Sequence, residues 1–344
     1  MKNDSRVVYL DLLKIIASFA VIVLHTSAMY WARVDVNSFD WQVFNIYDSI
    51  VRWCVPIFVM VSGALFLSRD ISIKKIYSKY ILRIIIAFIV WSLVYALIDL
   101  YHGCSFETFV IQFIKGHYHL WFLYMIVGLY MIIPFLKKII QDEKLIRYFL
   151  ILSFIITMII PICIDLLNPI FPTVCDVIKY ILEKTSLEFV VGYSFYFVIG
   201  YCLYNKVINK KTEIIIYILG LFGIIITILG TMIITHIYQE PLAIFYKNLT
   251  FNVALTSIAI FVFFKQHSNI ANKYPGLIYK LSKYSFGVYL VHLIILETLD
   301  KYDINVLLFN SFLSVPFISI IVIIISYIVS AVLNNIPVLK KYIV

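Results

Sequence analysis

Ten stretches of this chain are each apolar over a length that can cross a bilayer: 8–30, 44–67, 81–101, 118–136, 147–167, 188–205, 213–235, 245–264, 284–300 and 313–333. About 30 Å of hydrocarbon needs roughly 20 helical residues at about 1.5 Å each, because amides out of reach of water must bond within their own segment. With 63% of its 344 residues hydrophobic and 14% charged, the chain has too little polar surface to enclose a soluble core. The expected fold is all-α: a polytopic integral membrane bundle of about ten transmembrane helices. It is expected to form a single domain over residues 1–344, without a soluble appendage.

Ten spans place both ends of the chain on one side. That side collects Lys2 and Arg6, the cluster Arg69, Lys74, Lys75, Lys79 and Arg83, then Lys137, Lys138, Lys206, Lys210, Lys211, Lys340 and Lys341. The other side holds acids such as Asp35, Asp40, Glu107, Glu240 and Asp300. This is the positive-inside bias, so both termini are expected to be cytoplasmic. The formal net charge of +9 is then a topology signal, and no nucleic-acid partner is expected. The five cysteines are scattered, without a CxxC pair, and no metal site is expected.

The first span is the most informative. "YLDLLKIIASFAVIVLHTS" (9–27) carries Asp11, Lys14 and His25 in an otherwise apolar helix. Lys14 and His25 are separated by three helical turns plus about 20°, so they share a face, and Asp11 and Ser18 fall on the same stripe. Ionisable groups facing lipid are unfavourable, so the stripe should face a bundle interior or a wet cavity. Asp11 and Lys14 sit near the inner interface, whereas His25 lies roughly 25 Å along the axis from the start of the span. A simpler reading has Lys14 snorkelling inward and His25 outward, each marking one end. Among the stripe residues His25 alone has an unperturbed pKa near neutrality, which suits it to accept a proton from a hydroxyl. Lys14 can hold an anionic group, and Asp11 can pair with Lys14 across one turn.

The opening motif resembles that of the acyltransferase family 3 membrane proteins, in which Arg or Lys precedes a His by eleven positions on the first span. Three further stretches resemble the family in the same order: "VPIFVMVSGALFLSRD" (55–70), "HYHLWFLYMIVGLYMIIPFL" (117–136) and "YSFGVYLVHLIIL" (284–296). The likeness runs essentially end to end. It is strongest to stand-alone O-acetyltransferases of bacterial surface polysaccharides, including enzymes acting on enterobacterial common antigen. The resemblance implies a multi-pass enzyme of the bacterial cytoplasmic membrane. Its acyl donor would be acetyl-CoA, and its acceptor an envelope glycan or a lipid-linked sugar precursor, reached among membrane lipids. It also implies that His25 is the essential histidine and Lys14 its basic partner. Lys in place of Arg keeps the charge but loses the bidentate fork. Where some members carry two Arg three residues apart after the second span, this chain has Arg69 and Ser72, so only the first carries over.

Other residues keep two readings each. Arg69, with Lys79 and Arg83 nearby, is a candidate for binding the CoA phosphates or an orientation signal. His119, Trp121 and Tyr124 match the family motif and suit sugar or acyl contact, but Trp and Tyr also populate interfacial belts. Asp11, Tyr289 and His292 are further candidates for substrate contact, and a buried His needs a partner whether or not it is catalytic. Ser62 and Gly63 read as close-packing positions. Arg52 and Glu297 are charges within spans that could pair with each other. Two acyl routes stay open, a pantetheine arm reaching up the stripe or a side chain carrying the acyl group outward. A transporter or flippase using an intramembrane Asp/Lys/His relay is the alternative function, although its expected repeats are not evident. The sequence does not fix the acceptor sugar, the acyl chain or the oligomeric state.

Overall fold

The computed structural model describes residues 6–185 and 191–342; Lys2 and part of the expected 188–205 span lie outside these. Among the described residues the chain is helical, with no strand. The first helix, α1, runs Val8–Trp31 without Gly or Pro to interrupt it, and Asp11 in its first turn complements the positive helix terminus. It is followed by α2 (Phe39–Val51), capped by the Ser38 hydroxyl, and α3 (Cys54–Leu67). The chain continues through α4 (Leu82–Tyr101), α5 (Phe106–Lys115), α6 (Trp121–Met131), α7 (Ile133–Ile139), α8 (Glu143–Phe154) and α9 (Ile160–Leu167). The remaining long elements are α10 (Pro172–Thr185), α11 (Ser194–Asn205), α12 (Lys210–Tyr238), α13 (Phe251–Gln266), α14 (Pro275–Lys301) and α15 (Ser311–Asn335).

Seven helical stretches among the described residues are long and apolar enough to cross a membrane. An eighth is a pair, 106–131 and 133–139, bent by 57°. Of the two further stretches expected, 188–205 is only partly described. The 27-residue α14 is long enough but carries Ser282, Lys283, Ser285, His292, Glu297 and Asp300 along its length. Its polarity is what lets it contribute to a site.

The helix that matters most to α1 is α14. Ser282 meets Asp11, His292 meets His25, and Asp300 meets Tyr30. These contacts advance together along both helices, so α1 and α14 run side by side in the same direction. The antiparallel α15 packs behind α14, with the Ser330 hydroxyl donating to the Tyr284 carbonyl at 2.9 Å.

On the opposite flank α3 crosses α11 at a glycine contact. A methyl group on Gly63 would stand 1.8 Å from the Phe197 carbonyl oxygen, and one on Gly200 would stand 2.2 Å from that of Met60. The close-packing role expected of Gly63 is therefore realised, since only glycine lets these backbones touch. This contact belongs to the largest buried cluster, which includes Leu13, Ile57, Met60, Tyr196, Phe197 and Phe261. A second cluster, with Ile22, Trp91, Leu120, Val288, Leu293 and Val322, surrounds the histidine-bearing parts of α1 and α14.

Candidate active site

Four histidines from three elements converge. His25 comes from α1, His292 from α14, and His117 and His119 from the short turn ahead of α6. The ring centroids of His25 and His292 are 5.2 Å apart, and those of His292 and His119 are 5.4 Å apart. His119 and His117 approach through their Nδ1 atoms at 3.0 Å. Tyr118 packs on His25 at 5.7 Å, and Tyr95 from α4 packs edge-on to His119 at 5.1 Å.

The hydrogen bonds fix what each nitrogen can do. Nδ1 of His292 lies 2.7 Å from the carbonyl of Tyr289, one turn earlier on its own helix. A carbonyl only accepts, so this Nδ1 carries the proton and Nε2 of the neutral ring is a bare acceptor. That Nε2 is buried and has no hydrogen-bond partner, as is Nε2 of His119. Tyr289 itself donates its hydroxyl to the His119 carbonyl at 2.6 Å, tying α14 to the histidine turn. His25 differs from both. Its ring nitrogens make no protein hydrogen bond among the described residues, and it lines a cavity.

That cavity has a volume of about 770 Å³, and its wall includes His25, Arg33, Tyr95, Asp99, Gln112, His117, Tyr118, Glu297, Asp300 and Lys301. The volume falls in the range that small-molecule sites occupy. Aromatic faces, an amide and three carboxylates offer stacking and hydrogen bonds to a hydroxylated ligand. The cavity opens from His25 toward Arg33 and Lys301, away from Lys14. Between Lys14 and His25 the stripe is closed: Ser18 and Ile22 are buried, and the Ser18 hydroxyl donates to the Lys14 carbonyl at 2.9 Å.

The other end of α1 gathers cations. Asp11 accepts from Arg6, from Lys14 Nζ at 3.2 Å and from the Ser282 hydroxyl at 2.8 Å. Arg6 also lies over the Tyr279 ring, 3.9 Å from its centroid. Arg69 is close enough to Lys14 for the two positive charges to act on each other. Its backbone carbonyl accepts from Lys137 Nζ at 2.6 Å. Arg83 faces Phe286, which follows Ser282 by one turn, at 5.6 Å. Lys14, Arg69 and Arg83 therefore lie toward one end of the α1–α14 pair. Lys79 is exposed on the surface beside Tyr80.

Of the sequence-derived candidates, His25, His119, Tyr289 and His292 come together in one cluster, and Lys14 and Asp11 form a separate one. Trp121 and Tyr124 do not line the cavity. Trp121 packs against Tyr193 at 5.7 Å, while Tyr124 packs on Phe88 and donates its hydroxyl to the Ile114 carbonyl at 2.8 Å. Arg52 and Glu297 do not pair with each other. Arg52 is held by Asp48, by the Tyr246 carbonyl at 3.2 Å and by the Tyr246 ring, whereas Glu297 Oε1 lies 3.2 Å from Nε2 of His117. Among the described residues, no group of three or more His, Cys, Asp or Glu side chains is arranged to hold a metal ion.

Comparison with known families decides what such a chain is. A family model described as an acyltransferase domain matches residues 7–331. The chain belongs to acyltransferase family 3. No curated protein and no solved structure matches it.

In this membrane acyltransferase, periodicity alone exposed the α1 stripe but missed Tyr95, Tyr118, His117 and Arg33 as cavity residues. The histidine at 117 stands two positions from His119, and this spacing was the one local signal available. Both residues contact Tyr95 and Tyr118, but His117 also meets Glu297, whereas His119 meets Tyr289 and His292.

Proposed function

We propose that this acyltransferase moves an acetyl or other short acyl group from a CoA thioester to a hydroxyl of an envelope glycan or its lipid-linked precursor, within the bacterial cytoplasmic membrane. One observation carries this reading: α1 presents Lys14 toward one end, with Arg69, just past α3, within electrostatic reach, and His25 in a polar, aromatic-walled cavity toward the other. Clustered cations suit the phosphates of CoA, and the cavity suits a sugar. Lys14 and His25 are about 16 Å apart along the axis. A small substrate does not bridge that span, but an extended CoA thioester does. With both termini cytoplasmic, the cations face the cytoplasmic donor pool and the cavity faces outward.

In the proposed reaction His25 takes the proton of the acceptor hydroxyl as its oxygen attacks the thioester carbonyl carbon. The carbon–sulfur bond then breaks, and the CoA thiolate leaves with the proton held by His25. The bare Nε2 of His292 offers the imidazolium of His25 a nearby acceptor. Because Ser18 and Ile22 close the stripe, the pantetheine arm reaches His25 only when α1 parts from its neighbours on that face.

The test is surface-glycan O-acetylation in cells carrying His25→Ala or Lys14→Ala, with expression of each variant checked. Loss of acetylation with His25→Ala and reduced acetylation with Lys14→Ala support the reading, and full acetylation in both overturns it. Glycan missing from the surface altogether, instead of present without acyl groups, would point to a flippase.

A further inference from the structure

The cavity wall contains an acid–imidazole pair that the reaction above does not use. Glu297 Oε1 lies 3.2 Å from Nε2 of His117, and Nδ1 of His117 lies 3.0 Å from Nδ1 of His119. Tyr95 stacks on His117, with centroids 4.3 Å apart and planes 16° from parallel, which limits the tilt of that ring.

A neutral imidazole has one N–H and one bare nitrogen. The carboxylate beside Nε2 of His117 draws the proton to that nitrogen, so its Nδ1 is bare and accepts from Nδ1–H of His119. His119 then has its proton committed, and its Nε2 is a bare acceptor. That atom is buried without a hydrogen-bond partner, in a residue only 2% exposed. Without the carboxylate the chain of donors reverses. His117 would donate from Nδ1, and His119 would carry its proton on Nε2. The Leu290 carbonyl beside the His119 ring favours this reversed state, since its second lone pair can accept while the Tyr95 hydroxyl donates to it at 2.9 Å, so the carboxylate and this carbonyl compete.

We infer that Glu297, acting through His117, is a positioning residue that keeps His119 a hydrogen-bond acceptor within the cluster around His25 and His292. The inference rests on acyl transfer at this cavity. A cluster that receives a proton at His25 needs acceptors around it. An N–H on His119, whose ring lies 5.4 Å from that of His292, would put a donor where the cluster needs an acceptor. The arrangement follows the general logic by which a carboxylate fixes the tautomer of a histidine, here from the cavity wall, where the Glu297 side chain is 36% exposed.

The test uses the full-length protein in lipid nanodiscs with acetyl-CoA and a glycan acceptor. Glu297→Met, similar in shape but with only a weak, uncharged thioether acceptor, should lower kcat about tenfold or more while moving the acceptor KM less than about threefold. Glu297→Gln, which keeps a weaker acceptor, should fall between Met and wild type and covers the case of a Met variant that does not fold. In a His117→Phe background Glu297→Met should cause no further loss. Full activity in Glu297→Met, a change confined to KM, or an additive loss in the His117→Phe background would overturn the inference. A second readout does not depend on turnover: ¹⁵N NMR of histidine-labelled protein should show the His119 proton on Nδ1 in wild type and on Nε2 in Glu297→Met. Unchanged tautomers would overturn the inference. A wild-type protein that transfers no acyl group would count against the proposed reaction, and the NMR result would still decide the positioning role.

Discussion

The imidazole rings of His25 and His292 lie 5.2 Å apart, on two helices that run in the same direction. One ring has its nitrogens free at a cavity, and the other has its Nδ1 fixed by the Tyr289 carbonyl. The two are thus differentiated for distinct roles. Replacing His25 by Ala should abolish acyl transfer. His292→Phe should lower kcat roughly 10²-fold, the scale of a lost proton-accepting contact, and His292→Gln should lose less because its amide can still accept. Steady-state rates with the donor saturating are the measurement.

Lys14 is held in place by Asp11, which also ties Arg6 and Ser282 together. Lys14→Ala should raise the KM for acetyl-CoA about tenfold by removing a charge-assisted phosphate contact. Lys14→Arg should retain most activity. Asp11→Ala should behave differently. It leaves a buried hydroxyl and two cations short of an acceptor and should lower stability by about 1–3 kcal/mol, read from the thermal midpoint in detergent.

Ala28 lines the cavity one turn beyond His25. Ala28→Trp should fill part of its volume and raise the acceptor KM roughly tenfold or more, with the donor KM unchanged. An equal rise in both KM values would show that donor and acceptor do not enter by opposite ends.

Asp48 and Arg52 form a pair that does not line the cavity, with the Asp48 side chain fully buried. Arg52→Leu should destabilise the bundle by about 3–5 kcal/mol, because it strands a carboxylate in a medium that solvates charge poorly. Adding Asp48→Leu should recover much of that loss. Chemical-denaturant or thermal unfolding of the single and double variants measures it.

Gly63→Ala places a methyl group 1.8 Å from the Phe197 carbonyl oxygen, a position no side-chain rotation can relieve. The expected loss is about 1–3 kcal/mol or more, with α3 and α11 forced apart. Gly128 has open space around it, so Gly128→Ala should be tolerated and serves as the control.

Much of this molecule is visible in its residues alone. Apolar length implies a helical membrane bundle, because backbone amides in hydrocarbon bond locally. The 100° advance per residue puts Asp11, Lys14, Ser18 and His25 on one face, and the motifs at 55–70, 117–136 and 284–296 carry the family likeness. These are local signals, set by a helix's own geometry. What only the tertiary structure decided is which residues meet across helices. It brought His292 and His119 to His25, sent Trp121 and Tyr124 elsewhere, gave Glu297 to His117 instead of Arg52, and closed the stripe at Ser18 and Ile22. Nothing in a helical repeat encodes those contacts. They depend on the parallel packing of α1 against α14 and on a three-residue turn before α6, and both arise only when distant segments share one core.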